Sequence, residues 1–194
     1  MFAARRLVIA LPVLASLIGA ACGDPPDKEM QQAQGAIDAA RVAGADQYAH
    51  EEFAAAELAL KKAQEAVSQR DYRLALNHAL DSRERAQNAA KETADNKAIA
   101  RGDAERGLSD VMAALNDAHT RLKAAENARV PSRTLAEPRR TIADGDTAVQ
   151  KARALFKDGD YLAVIEIARP VAARLRETQH ALDRVVAPAP RRRR

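Results

Sequence analysis

The chain is poor in aromatic residues, which make up 3% of its 194 residues, and it contains no tryptophan. Hydrophobic residues still account for 47% of the chain, and alanine supplies the majority of them. Alanine has the highest helix propensity of any residue, and Glu, Lys, Arg and Gln follow it closely. The alternation of β-branched and polar residues that is typical of strands is absent. The composition therefore predicts an all-α protein whose helices approach one another closely around a thin core.

Cysteine is equally scarce, because Cys22 is the single cysteine of the chain and an intramolecular disulfide is excluded. Cys22 ends an apolar stretch, residues 7–21, that follows Arg5 and Arg6. A charged segment, an apolar segment and small residues thus succeed one another in the order of a secretory signal. The apolar stretch is shorter than the roughly 20 residues that a membrane-spanning helix needs. We therefore predict a signal peptide over residues 1–21 that is cleaved rather than retained.

A cysteine directly after small residues resembles the lipobox of bacterial lipoproteins, in which diacylglycerol is attached to the thiol before cleavage. Gly19 stands where such boxes usually carry Leu. Lipidation of Cys22 explains a lone thiol in an exported protein, and the alternative is a chance thiol beside an ordinary cleavage site. By resemblance to the sorting rule of enterobacterial lipoproteins, Gly23 after the cysteine favours the outer membrane, facing the periplasm. The nearby Asp24 leaves the inner membrane open.

The formal net charge of +4 comes from the two ends of the chain. Without Arg5, Arg6 and residues 191–194, the remaining body has a net charge of −2. A basic face for nucleic acid is therefore not predicted. The tail, residues 187–194, is expected to be extended and disordered, and its arginines either contact an anionic partner or are merely solvated; they are Arg191, Arg192, Arg193 and Arg194.

Between the predicted signal and this tail, apolar residues recur at spacings of three and four, the period of amphipathic helices. A short tether over residues 22–27 leads to a first helix near residues 28–42, which stops at Gly44. Asp71 is a candidate N-cap, Pro138 suits the start of a later helix, and Pro170 is expected to kink the last one. We predict an N-terminal bundle over residues 28–100 and a C-terminal bundle over residues 101–186. These elongated antiparallel hairpins or three-helix bundles share one long central helix, weak or bent near residues 102–107.

An offset of 89 residues superposes Asp71-Tyr72 on Asp160-Tyr161 and aligns the apolar stripes around them. The aligned pairs include Phe53 with Ile142, Leu60 with Val149, Ala63 with Ala152, Ala75 with Val164, and Ala79 with Ala168. This pattern indicates an internal duplication of a helical hairpin, although any two amphipathic helices share the same period. Tyr72 and Tyr161 are expected to close the ends of their bundles.

Residues 34–94 resemble a known family. The segment from Gly44 to Ala49, Glu52-Phe53 with Ala56-Glu57, and Asp71-Tyr72 with Ala75 and Ala79 are similar to the domain of unknown function 4398, which occurs in exported bacterial lipoproteins. His50 stands where the family often has proline, and the peptidoglycan-binding module to which the family domain is sometimes joined does not follow here. The resemblance implies an envelope location and a helical hairpin, and it brings no catalytic residue.

The sequence shows no pattern that predicts catalysis or a cofactor. The histidines do not stand at metal-ligand spacings; they are His50, His78, His119 and His180. Asp144 and Asp146 lack the remaining ligands of a calcium loop. We expect a non-enzymatic scaffold or adaptor of the bacterial envelope, held to the membrane through lipid on Cys22, with an envelope protein or the cell wall as partner. The alternative is a binding module that captures a peptide or cell-wall glycan in a groove between helical hairpins. The oligomeric state is left open.

Overall fold

The computed structural model describes residues 24–187, and these residues form six helices and no strand. The all-α prediction is confirmed. The helices are α1 (Asp27–Ala43), α2 (Ala45–Tyr48), α3 (His50–Ser68), α4 (Tyr72–Asn127), α5 (Ser132–Asp158) and α6 (Tyr161–Val186).

The chain divides into two compact units, and the boundary lies between Asn96 and Lys97. Unit 1 contains α1, α2, α3 and the first part of α4, whereas unit 2 contains the rest of α4, α5 and α6. Helix α4 is 56 residues long and runs through Gly102 and Gly107 without an end. The prediction that one long helix contributes to both bundles is therefore confirmed.

Unit 1 is held together mainly by alanine. Its core cluster has ten buried residues, of which seven are alanine and the others are Ile37, Phe53 and Leu60. Alanine side chains allow helix backbones to approach closely, and they lose no rotamer freedom when they are buried. The fully buried Ser82 of α4 donates a hydrogen bond to the carbonyl oxygen of Ala56 in α3, which shows how near these two helices lie.

Unit 2 has a core of larger side chains. Five of the nine residues in its main cluster are branched aliphatics: Val111, Leu115, Ile142, Val149 and Leu175. Gly145 of α5 lies inside this core, and a Cβ built on it would meet Leu115 Cδ1 at 3.1 Å and Leu175 Cδ2 at 3.2 Å. On α4, Val111, Leu115 and Ala118 are buried, whereas Met112 is 37% exposed.

One predicted helix boundary is wrong. Pro138 does not start a helix, because α5 begins six residues earlier, at Ser132. The added turns carry Leu135, which is 1% exposed and packs with Ala125 and Leu182. Burial of this leucine compensates for the single backbone hydrogen bond that the proline removes.

The α-helical segments within residues 24–187 are too short or too polar to cross a bilayer.

Candidate functional site

The residues proposed from the sequence for function lie outside the described part of the chain. Cys22 and the four arginines of the tail, 191–194, are not among residues 24–187. Their lipidation and their contacts therefore stay predictions. A site within the described residues has to be found from the helices themselves.

No group of three His, Cys, Asp or Glu side chains that could hold a metal ion occurs within residues 24–187. Asp144 and Asp146 lie on α5 on either side of the buried Gly145, in a continuous helix rather than in a loop. Asp146 instead pairs with His119 of α4, with 3.1 Å between His119 Nε2 and Asp146 Oδ2. Asp146 thus contacts α4, whereas Asp144 lines the space between α5 and α6.

The two hairpins close in the same way. Arg70 and Gly159, which are 89 positions apart, both have a positive φ, of 59° and 83°. The next residue is an aspartate in each case, and its Oδ1 accepts a hydrogen bond from a backbone N–H of the following helix. The distances are 3.0 Å for Asp71 to Leu74 and 3.2 Å for Asp160 to Ala163. Asp71 is therefore a helix cap, as predicted.

The pattern of buried residues also matches between the two hairpins at an offset of 89 residues. Aligned pairs of apolar residues on the two hairpins are both buried, among them Phe53 with Ile142, Leu60 with Val149, Ala75 with Val164 and Ala79 with Ala168. Tyr72 and Tyr161 are both half-buried, and Tyr161 packs against Phe156 with ring centroids 5.3 Å apart. Loop geometry and burial thus agree with a duplicated hairpin.

A groove runs between α5 and α6 of unit 2. Its polar section has a volume of about 290 Å³ and is lined by Glu137, Pro138, Thr141, Arg174, Glu177, Thr178, Ala181 and Arg184. Its more apolar section has a volume of about 220 Å³ and is lined by Thr141, Asp144, Gly145, Ala148, Val171, Arg174 and Leu175. Thr141 and Arg174 line both sections, so they stand where the two meet.

Two other grooves border α4 in unit 2. The groove against α6 has a volume of about 280 Å³ and is lined by small residues and by charged residues of both signs; they are Asp103, Arg106, Gly107, Asp110, Ile165, Ala168, Arg169, Ala172 and Arg176. Further along α4, Arg121 forms an ion pair with Asp183 of α6, which raises the pKa of the Arg121 guanidinium. The groove against α5 contains the His119–Asp146 pair.

The two units differ in charge. Residues 24–96 contain nine Lys and Arg against fourteen Asp and Glu, whereas residues 97–187 contain sixteen against thirteen. The net body charge of −2 thus combines an acidic unit 1 with a basic unit 2. Reasoning from the whole-chain charge missed this difference, which a count on either side of residue 96 would have found.

The groove of unit 2 was also missed, although the 89-residue offset contains a signal for it. Arg174 aligns with Arg85, while the two carboxylates that pair with Arg85 align with Thr141 and Pro170. At the offset that indicates the duplication, unit 2 therefore keeps the arginine but lacks both carboxylates that pair with it in unit 1.

Searches among curated proteins and among solved structures find no match to this chain. Residues 28–105 match the model of a family described as a domain of unknown function, DUF4398, which confirms the similarity expected from the motifs of the first hairpin.

Proposed function

We propose that the protein is a non-enzymatic scaffold or adaptor of the bacterial cell envelope. It is anchored through lipid on Cys22 to the outer membrane and presents helical surfaces to partners in the periplasm. The observation that carries the proposal is the duplicated hairpin. Its two copies share caps and buried positions, whereas most of their exposed charged residues differ, so the chain repeats a structural module with two different surfaces.

The charges of the two units support an adaptor role. Complementary charge gives interfaces their specificity and raises association rates. An acidic unit 1 and a basic unit 2 suit two partners of opposite charge. Envelope proteins or cell-wall polymers are the partners that we propose.

The anchor is tested by mass spectrometry of the mature N-terminus. The expected product begins at Cys22 and carries the mass of diacylglycerol, and Cys22→Ser is expected to release the protein from the membrane fraction. Density separation of the two membranes then identifies the membrane. An unmodified Cys22 thiol would remove the anchor from the proposal.

The adaptor role is tested in intact cells with a photo-crosslinking residue at Lys61 of unit 1 or at Lys123 of unit 2, both of which are exposed. We expect different crosslinked partners from the two positions. Loss of function after a single polar-to-Ala change in a folded protein would contradict a scaffold.

A second candidate function is a binding module, and the α5–α6 groove favours it. The groove combines apolar and charged sections within one hairpin. Such a combination of shape and convergent polar groups is typical of ligand sites.

A further inference from the structure

Arg174 and Arg85 occupy equivalent positions on the two hairpins but have different surroundings. In unit 1, Arg85 Nη1 lies 3.4 Å from Glu52 Oε2, across the interface of α3 and α4, and Arg85 Nε lies 3.0 Å from Asp81 Oδ1 on its own helix. Glu52 and Asp81 are therefore both engaged by Arg85. The α3–α4 cleft is bridged by the first of these ion pairs.

In unit 2 the same two positions hold Thr141 and Pro170. The structure gives the Arg174 side chain no ion pair and no hydrogen bond within residues 24–187. Arg174 thus extends a free guanidinium at the point where the polar and apolar sections of the groove meet. A guanidinium with five N–H donors and no acceptor binds carboxylates with particular strength.

The other groups along the groove limit what binds there. The polar section contains Glu137 and Glu177, and the apolar section is lined by Val171 and Leu175. With Asp144, the groove holds three carboxylates against two arginines. A polyanion such as nucleic acid or lipopolysaccharide would be repelled by this set, whereas a ligand with both charges would satisfy it.

We propose that the α5–α6 groove binds a peptide segment in which a carboxylate stands between an aliphatic and a cationic side chain. The carboxylate pairs with Arg174 and accepts a hydrogen bond from the Thr141 hydroxyl. The aliphatic side chain lies against Val171 and Ala148, and the cation lies between Glu137 and Glu177. The proposal deepens the binding-module function and does not depend on the anchor at Cys22.

The test uses the peptide acetyl-Lys-Glu-Leu-amide and its neutral counterpart acetyl-Lys-Gln-Leu-amide. Each is titrated to millimolar concentration into the isotope-labelled full-length chain, and backbone amide shifts are followed by nuclear magnetic resonance. We expect saturable shifts at residues that line the α5–α6 groove. The glutamine peptide is expected to bind about tenfold more weakly or worse, because it lacks the charge-assisted hydrogen bonds to Arg174.

Three variants separate binding from folding. Arg174→Gln is expected to weaken binding of the glutamate peptide by about tenfold or more, so that the two peptides bind with equal affinity. Thr141→Glu places a carboxylate where Glu52 stands in unit 1, and we expect it to abolish binding by pairing with Arg174. Arg169→Gln, on the same helix but in the groove against α4, is the matched control and is expected to bind normally.

Circular dichroism of each variant verifies that the helices are intact. Absence of shifts with both peptides, equal shifts with both, or normal binding by folded Arg174→Gln would each overturn the proposal. Amide shifts in the groove of the peptide-free protein that change with protein concentration would also overturn it, because a second copy of the chain would then occupy the groove. An unlipidated Cys22 would leave the expected peptide result unchanged, so the two proposals fail separately.

Discussion

The hydroxyl of Ser82 donates a 2.8 Å hydrogen bond to the backbone carbonyl oxygen of Ala56, and neither the serine nor the alanine is accessible to solvent. In unit 2 the position of Ser82 is taken by the half-buried Val171, which lines the groove. One equivalent position therefore seals the α3–α4 interface in unit 1 and borders an open groove in unit 2.

We expect Ser82→Val to destabilise the protein by about 1–3 kcal/mol, since it removes the hydrogen bond and adds a methyl group to a tightly packed interface. Ser82→Ala removes the hydrogen bond alone and is expected to cost about 1 kcal/mol. Urea denaturation followed by circular dichroism measures both values. A valine variant as stable as the wild type would show that α3 and α4 have room to separate.

Substitution of glycine by alanine is expected to change stability in opposite directions at two helical positions. Gly145→Ala is expected to destabilise unit 2 by up to about 2 kcal/mol, because the cost of displacing Leu115 and Leu175 exceeds the helix-propensity gain of about 0.5–1 kcal/mol. Gly35→Ala is the control: its Cβ meets nothing within 4 Å, and alanine is expected to stabilise α1 by about 0.5–1 kcal/mol. Thermal unfolding of the two variants tests the contrast, and a stabilised Gly145→Ala would contradict the packing described for α5.

Arg70 and Gly159, which have a positive φ and precede Asp71 and Asp160, are expected to respond to substitution with opposite changes in stability. Gly159→Ala is expected to cost about 1 kcal/mol, because a side chain is unfavourable in the left-handed conformation. Arg70→Gly removes this strain in the other hairpin and is expected to stabilise it by a few tenths of a kcal/mol to about 1 kcal/mol. Both are measured by chemical denaturation, and destabilisation by Arg70→Gly would indicate that the arginine side chain contributes more than its backbone costs.

A buried charge in the second hairpin is expected to unfold it. Val164, which is completely buried, packs with Ala104 and Ala152. Val164→Asp leaves an unpaired carboxylate in that cluster, and we expect a loss of more than about 3 kcal/mol. Leu162→Asp is the matched control, since Leu162 is 38% exposed in the same helical turn. Hydrogen exchange by mass spectrometry is expected to show lost protection in α5 and α6 for Val164→Asp alone.

Local signals predicted the helix boundaries at Gly44 and Asp71. The first helix ends at Gly44 in the left-handed conformation, and Asp71 and Asp160 cap the helices that follow the hairpin loops. Each of these signals acts within four residues, so that the sequence alone is sufficient to detect it. The four-residue helix α2 was missed because it is shorter than the window in which a helical period is recognised.

Features that depend on tertiary packing could not be predicted in the same way. The start of α5 is decided by burial of Leu135 between α4 and α6, and a sequence does not show that Ala125 and Leu182 are its neighbours. The groove likewise depends on which side chains oppose Arg174. The alignment of the two hairpins shows that Thr141 and Pro170 stand where unit 1 has Glu52 and Asp81. Only the structure shows that these two carboxylates pair with Arg85.

The alanine-built core of unit 1 affects how its stability responds to temperature. The heat capacity of unfolding grows with the apolar area that unfolding exposes, and seven alanines among the ten residues of the main cluster expose little of it. The stability of unit 1 is therefore expected to vary gently with temperature and to have a low maximum, whereas unit 2, with Val111, Ile142 and Leu175 in its core, follows a steeper curve. Calorimetry of the whole chain would then record unit 1 as the broader and weaker of two contributions.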